Sequence, residues 1–150
     1  MSTADTRPYA GDITPEEAWK LLSDNPDAVL VDCRTDAEWR LVGVPDISDL
    51  GRDVVYVQWS SIDGKRNERF VDDLIEAGVE PAVGPRAGRG RPVVFLCRSG
   101  NRSIGAAEAA TAAGIAPSYN VLDGFEGHLD DSGHRGGSGW RAVGLPWRQS

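Results

Sequence analysis

Cys97 begins the stretch of the sequence whose residue types and spacing could do chemistry. The apolar run Val93–Leu96 precedes it, and the loop Arg98-Ser99-Gly100-Asn101-Arg102 separates it from an alanine-rich segment with helical spacing. A buried parallel strand that ends in a cysteine delivers the thiol to the edge where open α/β sheets bind ligands. A packing residue needs no such loop, so we interpret Cys97 as a nucleophile rather than as a small core residue.

The residues that follow Cys97 predict an environment that favours its thiolate. Successive backbone N–H groups in a short loop can face inward as a nest that binds anions. The N-terminus of the next helix adds roughly half a positive charge, and Arg98 and Arg102 add two full charges. The thiolate is the nucleophilic form of cysteine. The sequence therefore predicts a nucleophilic cysteine in an anion-binding pocket formed by the loop of residues 98–102.

Arginines are concentrated around this loop, although the whole chain carries a net charge of −7. The segment Pro81–Ala107 contains five arginines and no acidic residue. Such a basic island would draw a small anion toward the site. We expect Arg98 and Arg102 to face the site. The other three arginines lie in the predicted loop Gly84–Arg91, which is either a mobile lid or a simple insertion.

The elements that must position Cys97 follow from hydrophobic periodicity. Unbroken apolar runs, typical of strands buried on both faces, occupy residues 28–31, 54–57 and 92–97, and a shorter strand is predicted at 118–122. Helices are predicted after Thr14, which can form a capping box with Glu17, and over Phe70–Ala77 and Ile104–Ala113. Strands that alternate with helices predict an α/β fold, an open parallel sheet flanked by helices on both faces.

The chain length of 150 residues is usual for one domain. We predict a flexible N-terminal arm over residues 1–11 and a single domain over residues 12–150. The end of the chain after Gly124 is rich in glycine and contains Trp140 and Trp147. We expect these two rings to anchor an irregular C-terminal segment to the domain. The alternative is an aromatic pair that binds a partner.

Composition and charge exclude several classes of function. With 16 basic and 23 acidic residues, the chain should have no general affinity for nucleic acid or for anionic membranes. No apolar run reaches the roughly 18 residues of a membrane span, and the N-terminus lacks the apolar core of a signal peptide, so we expect a cytoplasmic protein. Two cysteines and two histidines, with no Cys-x-x-Cys pair, predict neither a disulfide scaffold nor a metal site.

Together, these motifs resemble the rhodanese family of sulfurtransferases, over residues from about 13 to 147. The resemblance rests on three segments: the strand end 30–34 with Glu38 after it, the loop 97–102, and Asn120-Val121-Leu122-Asp123-Gly124-Phe125. The closing residues 139–146 also look like the usual ending of the family. The resemblance implies a rhodanese-like fold for the domain.

The resemblance also implies a reaction. Cys97 would take the outer sulfur of thiosulfate as a persulfide and pass it to cyanide or to a thiol, with no cofactor besides this covalent persulfide. The backbone N–H groups of residues 98–102 would hold the outer sulfur, and the side chains of Arg98 and Arg102 would bind the sulfonate. Attack on a sulfur–sulfur bond needs a thiolate and no general base. This agrees with a chain whose two histidines, His128 and His134, lie in the glycine-rich tail, where we expect them to face solvent.

Three residues after the strand at 28–31 lie near the predicted active edge. The resemblance makes Asp32 and Arg34 a structural ion pair or loop clamp. Between them, Cys33 is interpreted as a packed thiol. The sharper alternative is that Cys33 is a resolving thiol, which would form a disulfide with Cys97 on oxidation.

Other functions remain open at this point. Cysteine phosphatases and arsenate reductases place five residues between the cysteine and the arginine, whereas four residues separate Cys97 from Arg102, so a phosphatase is a minor alternative. A sulfur-relay module would receive sulfur from a partner protein such as a desulfurase. A non-catalytic interaction domain would bind partners through Trp140 and Trp147, but it would have no need for Cys97.

Overall fold

The computed structural model describes residues 8–82, 85 and 90–149 and has a parallel sheet at its centre. Five parallel strands form this sheet, and two further strands form a small antiparallel sheet. In chain order the strands are β1 (Gly11–Ile13), β2 (Val29–Asp32), β3 (Val44–Pro45), β4 (Val55–Tyr56), β5 (Val93–Leu96), β6 (Ser118–Val121) and β7 (Trp147–Arg148). The helices are α1 (Pro15–Asp24), α2 (Asp36–Leu41), α3 (Phe70–Glu76) and α4 (Arg102–Ala112), and a 3-10 turn spans Ser48–Leu50.

The parallel sheet has the strand order β1-β6-β5-β2-β4, and β3 pairs with β7 in the small sheet. Strands β2 and β5 lie in the middle, and every one of their residues is buried. Alternate side chains along these strands enter two separate cores, as expected when both faces of a sheet are covered. The predicted α/β fold with a parallel sheet flanked by helices is confirmed.

The two cores lie on opposite faces of the parallel sheet. On one face, Val31 and Phe95 pack with Phe70 and Leu74 of α3 and with the alanines of α4. On the other face, Leu30 packs with α1 and with the C-terminal segment. Burying each side chain of this size contributes about 1.5–3 kcal/mol to folding.

The helix starts show which local signals decide the fold. Thr14 caps α1: its Oγ1 accepts a hydrogen bond from the N–H of Glu17, and Glu17 Oε1 accepts one from the N–H of Thr14. The same box forms at Thr35 and Glu38 and starts α2. Helix α2 was not expected from apolar periodicity because none of its six residues is buried. The spacing of Thr35 and Glu38 was the signal that could have found it.

Two predicted boundaries are corrected by the structure. The run 54–57 is not a strand buried on both faces: β4 is an edge strand of two residues, and Tyr56 is exposed. Gly11 is not part of an arm, since β1 pairs with β6 and the N–H of Ala10 donates to Ser118 O. Residues 1–7 of the predicted arm lie outside the described residues, and so does most of the loop Gly84–Arg91.

The C-terminal segment returns to the domain in an ordered way. Trp140 is fully buried, its Nε1 donates to Pro146 O at 2.7 Å, and its ring meets the edge of Trp19. Trp140 is therefore an anchor, as predicted. Trp147 also holds the segment to the domain: it lies in β7, which pairs with β3, and its ring packs edge-on against Phe125, although 39% of its surface is exposed. Within the described residues, no helix has the length and apolar character that crossing a membrane requires.

Candidate active site

Cys97 lies at the carboxyl edge of the parallel sheet, directly after β5. Strand β5 pairs with β2 on one side and with β6 on the other. Three chain segments therefore meet at this edge, and residues far apart in sequence surround the sulfur. The cysteine is 1% exposed.

The loop after Cys97 turns back over the sulfur through Gly100. The N–H of Gly100 donates to Cys97 Sγ at 3.1 Å. Gly100 has a φ of +96°, and a Cβ at this position would lie 3.1 Å from the backbone N of Asp123 and 3.2 Å from Val121 O. Glycine is thus required both by the left-handed conformation and by the close approach of the β6 end.

The other residues of the predicted loop have different surroundings. Arg98 and Asn101 are exposed, and Ser99 is partly buried. Asn101 precedes α4 without a capping hydrogen bond from its side chain. Among the described residues, Gly100 is the one backbone donor to Cys97 Sγ, so the five N–H groups of the loop do not all surround Sγ itself. The prediction for these five N–H groups is that they bind the outer sulfur of a persulfide on Cys97.

A chain of side chains that sequence reasoning missed runs from the sulfur to the far side of β6. Ser103 Oγ lies 3.1 Å from Cys97 Sγ and donates its hydrogen to Asn120 Oδ1. Asn120 Nδ2 donates to Asp12 Oδ1 at 3.0 Å. Because a carboxylate can only accept, Asp12 fixes the orientation of the Asn120 amide, and the amide fixes that of the Ser103 hydroxyl. Ser103 therefore faces Cys97 with a lone pair, as an acceptor for the thiol hydrogen.

Arg102, the first residue of α4, is held by Glu38 of α2. Its Nη1 and Nη2 donate to Glu38 Oε1 and Oε2 at 2.8 and 3.0 Å, a bidentate pair. Burial opposes ionisation of Glu38, but the hydrogen bonds from Arg102 and Thr35 and the charge of Arg102 hold its pKa at about 2. Burial likewise opposes the charge of Arg102, and Glu38 outweighs it and raises the pKa of the guanidinium. The positive charge predicted at this position is thus compensated by a carboxylate.

A cavity of about 490 Å³ opens beside this ion pair. Its walls come from α2, from the turn at residues 60–64 and from the loop after β5. The lining includes Glu38, Leu41, Val42, Ile62, Arg98 and Arg102. The exposed Arg98 has no ion-pair partner among the described residues, so it is the cation that the cavity offers to a ligand.

The family model of the rhodanese-like domain matches residues 14–131. The chain belongs to the rhodanese-like domain family. This confirms the resemblance inferred from the motifs at residues 30–38, 97–102 and 120–125.

Several proteins share this rhodanese-like domain. The chain is 34% identical over 136 residues to uncharacterized protein RC0915 of Rickettsia conorii, which covers 91% of this chain and 95% of that protein. The crystal structure of Rv0390 from M. tuberculosis is similar with a TM-score of 0.83 and 66% identity, over 95% of this chain and 99% of that chain. The polysulfide-sulfur transferase homodimer of Wolinella succinogenes shares the fold, with a TM-score of 0.58 and 24% identity over 95% of this chain and 80% of its own.

Asp32 and Arg34 form a fully buried ion pair in the rhodanese-like domain. Arg34 Nη2 lies 2.8 Å from Asp32 Oδ2 and also donates to Gly43 O at 2.7 Å. The guanidinium packs over the ring of Phe125, 4.3 Å from its centroid. Neither residue lines the cavity. The pair joins the end of β2 to the segment after α2, the position expected of a structural clamp.

Cys33 is packed beneath the active edge of the rhodanese-like domain. It is fully buried, its Sγ lies 3.4 Å from Leu96 O, and its N–H donates to the same oxygen. Burial, the nearby Cys97 and Asp32 raise the pKa of the Cys33 thiol well above its usual range. Cys33 is thus a neutral thiol, which is a poor nucleophile. These surroundings favour the packed-thiol interpretation over the resolving thiol.

Neither histidine lines the cavity, and both have exposed side chains, as expected. His128 pairs through Nε2 with the carboxylate of Asp123. Asp123 itself adopts a left-handed conformation with a φ of +67°. Within the part of the chain that the structure describes, no group of three or more acidic, cysteine or histidine side chains could hold a metal ion.

Proposed function

We propose that this rhodanese-like domain is a sulfurtransferase that carries sulfane sulfur as a persulfide on Cys97. The donor is thiosulfate or another persulfide source, and the acceptor is cyanide or a thiol. One observation carries the proposal: Cys97 lies at the carboxyl edge of the sheet, its Sγ accepts the Gly100 N–H, and two arginines lie at the adjoining cavity. No cofactor takes part besides the covalent persulfide.

The loading step breaks one sulfur–sulfur bond and forms another. Cys97 first loses its thiol proton to water. Its thiolate then attacks the outer sulfur of thiosulfate, and sulfite departs with the electron pair of the broken bond. The product is a persulfide anion on Cys97. Once the thiolate has formed, the exchange of sulfur–sulfur bonds needs no general acid or base.

The transfer step restores the free cysteine. Cyanide or a thiolate attacks the outer sulfur of the persulfide, and the bond from this sulfur to Cys97 breaks. Cys97 departs as the thiolate, and the product is thiocyanate from cyanide or a new persulfide from the thiolate. The backbone N–H groups of residues 98–102 would hold the outer sulfur while it is anionic. Arg98 is exposed and uncompensated, so it would meet the sulfonate, whereas Arg102 reaches a donor only in competition with Glu38.

The setting of the reaction follows from the same chemistry. Thiol acceptors are kept reduced in the cytoplasm, which is where we place the activity. The fold shared with a polysulfide-sulfur transferase makes polysulfide a second donor to test beside thiosulfate. The partners that we propose are a small anionic sulfur donor and a thiol acceptor. A sulfur-relay protein can take the place of either one.

The test is thiocyanate formation from thiosulfate and cyanide by the wild-type protein, by Cys97→Ser and by Cys33→Ser. The last variant is a matched control, because it removes the other buried thiol of the same edge. We expect Cys97→Ser to abolish turnover and to lose the mass increase of one sulfur atom that the loaded wild type shows. If wild type and Cys97→Ser behave alike with both thiosulfate and polysulfide, the proposal is wrong.

A further inference from the structure

Two large apolar side chains project from the mouth of the cavity. Leu41 at the end of α2 is 80% exposed, and Ile62 in the facing turn is 77% exposed. They are the most exposed large hydrophobic residues in the described part of the chain, and both line the same cavity. Single exposed hydrophobic residues are ordinary on protein surfaces. Together, Leu41 and Ile62 form an apolar rim at the mouth of one cavity.

The size of the cavity also exceeds what a small sulfur anion needs. A volume of about 490 Å³ lies in the range of pockets for drug-sized ligands. Thiosulfate has five heavy atoms and cyanide has two. A ligand of that size would leave the apolar wall formed by Ala37, Leu41 and Val42 in contact with water.

The charges at the mouth define what a covering molecule would carry. Glu38 compensates Arg102 through two hydrogen bonds. Glu126, which also lines the cavity, lies 4.0 Å from Arg141. Arg98 is left as the uncompensated charge of the lining. A complementary surface is therefore apolar, with a carboxylate placed opposite Arg98.

We propose that the sulfur acceptor is a cysteine on a polypeptide, flanked by apolar and acidic residues that dock on the rim formed by Leu41, Ile62 and Arg98. A ligand confined to the cavity would leave the outer faces of Leu41 and Ile62 in water, whereas a polypeptide across the mouth buries both. This inference rests on the proposed function. The acceptor thiolate attacks the outer sulfur of the Cys97 persulfide, the sulfur–sulfur bond to Cys97 breaks, and Cys97 departs as the thiolate.

The experiment measures transfer from protein loaded on Cys97 with thiosulfate or polysulfide. Three acceptors are compared: the peptide Gly-Leu-Asp-Cys-Leu-Ser-Gly, the peptide Gly-Ser-Ser-Cys-Ser-Ser-Gly, and 2-mercaptoethanol. For wild type we expect kcat/KM for the first peptide to exceed that for the second about tenfold. The leucines of the first peptide bury apolar surface against Leu41 and Ile62, whereas the serines of the second peptide do not. Equal values for the two peptides would overturn the proposal.

The variants separate docking from chemistry. Leu41→Ser with Ile62→Ser should abolish the advantage of the first peptide and leave 2-mercaptoethanol unchanged. Leu129→Ser is the matched control, because Leu129 is 58% exposed and does not line the cavity. It should retain the full advantage. An advantage that survives in the double variant, or that is lost equally in Leu129→Ser, would contradict docking on this rim.

The loading step keeps two failures distinguishable. If neither thiosulfate nor polysulfide adds sulfur to Cys97, the proposed function itself fails, and this inference falls with it. If Cys97 loads and passes sulfur to 2-mercaptoethanol but does not distinguish the peptides, only the polypeptide acceptor is wrong. If the double variant also slows sulfur transfer to 2-mercaptoethanol, Leu41 and Ile62 affect the reactivity of Cys97 and not the docking of the acceptor. This result also contradicts the proposal.

Discussion

Ser103 Oγ lies 3.1 Å from Cys97 Sγ, and it faces the sulfur as an acceptor because its own hydrogen is donated to Asn120. The order of donors is imposed from the other end of the chain of hydrogen bonds, by the carboxylate of Asp12. The arrangement satisfies Cys97 as a thiol. A thiolate at the same position gains a donor from Ser103 only if the hydroxyl leaves Asn120.

Asp12→Ala should make Cys97 more reactive, although Asp12 does not touch the sulfur. Without the carboxylate, the Asn120 amide can turn its Nδ2 toward Ser103, and the Ser103 hydrogen can then be donated to the thiolate. A hydrogen bond to a charged group contributes about 1.5–3 kcal/mol, so we expect alkylation at neutral pH to accelerate about tenfold. The measurement is the rate of iodoacetamide labelling of Cys97 at neutral pH in wild type and in the variant.

Glu16→Ala is the control for this prediction, since it removes a neighbouring exposed carboxylate that lies outside the chain of hydrogen bonds. Arg102 and Cys33 also lie near the sulfur, and neither variant alters them. An unchanged labelling rate for Asp12→Ala would contradict the prediction and would show that the Asn120 amide is held by other contacts.

Gly100→Ala should cost both stability and sulfur loading. The left-handed φ of +96° is unfavourable for alanine, and the added Cβ would press on the backbone of residues 121–123. We expect a loss of about 1–3 kcal/mol in the free energy of unfolding and slow loading of Cys97, because the Gly100 N–H must move. Urea unfolding and mass spectrometry after thiosulfate treatment measure the two effects.

Gly78→Ala isolates the backbone contribution to this cost. Gly78 has a similar φ of +95°, but a Cβ there would meet nothing within 4 Å. It should lose stability only through its conformation and should load sulfur normally. Equal losses of stability and of loading in the two variants would contradict a specific role for the packing at Gly100.

Glu38→Gln should remove a pH dependence of stability. The carboxyl has a pKa of about 2 in the folded protein, against an ordinary value of 4.5. Its contribution is therefore present above pH 4.5 and is lost as the pH falls toward 2, and it amounts to at most about 3 kcal/mol. The difference in unfolding free energy between wild type and variant, measured by urea titration at several pH values, should shrink across this window. A difference that stays constant with pH would mean that Arg102 does little to lower the pKa of Glu38 in the folded protein.

The same substitution should improve the use of thiosulfate. Glutamine keeps the capping hydrogen bonds of α2 but leaves the Arg102 charge uncompensated beside the cavity. We expect the KM for thiosulfate to fall about threefold to tenfold, as for gain of one charge-assisted hydrogen bond. Steady-state thiocyanate assays would show it, and an unchanged KM would mean that Arg102 does not reach the donor. Glu38→Asp, which keeps the charge, is the control.

The parts of the fold that are determined by residues close together in the sequence were predictable. The apolar run of β5, the Thr14 capping box and the loop after Cys97 are local signals, and each was found at its place. The partners of the site were not predictable in this way. Glu38 and Arg102 lie on different helices, and Asp12 and Asn120 meet only because β1 pairs with β6 in one register. One sequence without structure does not specify the order of strands, so neither the ion pair nor the chain of hydrogen bonds could be assembled from it.

The pairing of β1 with β6 also has a consequence for folding. Gly11 lies opposite Tyr119, so this pairing joins the two ends of the domain and carries Asp12 to Asn120. Contacts between residues so distant in sequence lower the folding rate, because the entropy of loop closure must be lost before they form. The hydrogen bonds from Asp12 to Ser103 exist only where β1 is paired with β6, so the reactivity of a single thiol distinguishes the assembled sheet from forms of the protein in which β1 is detached.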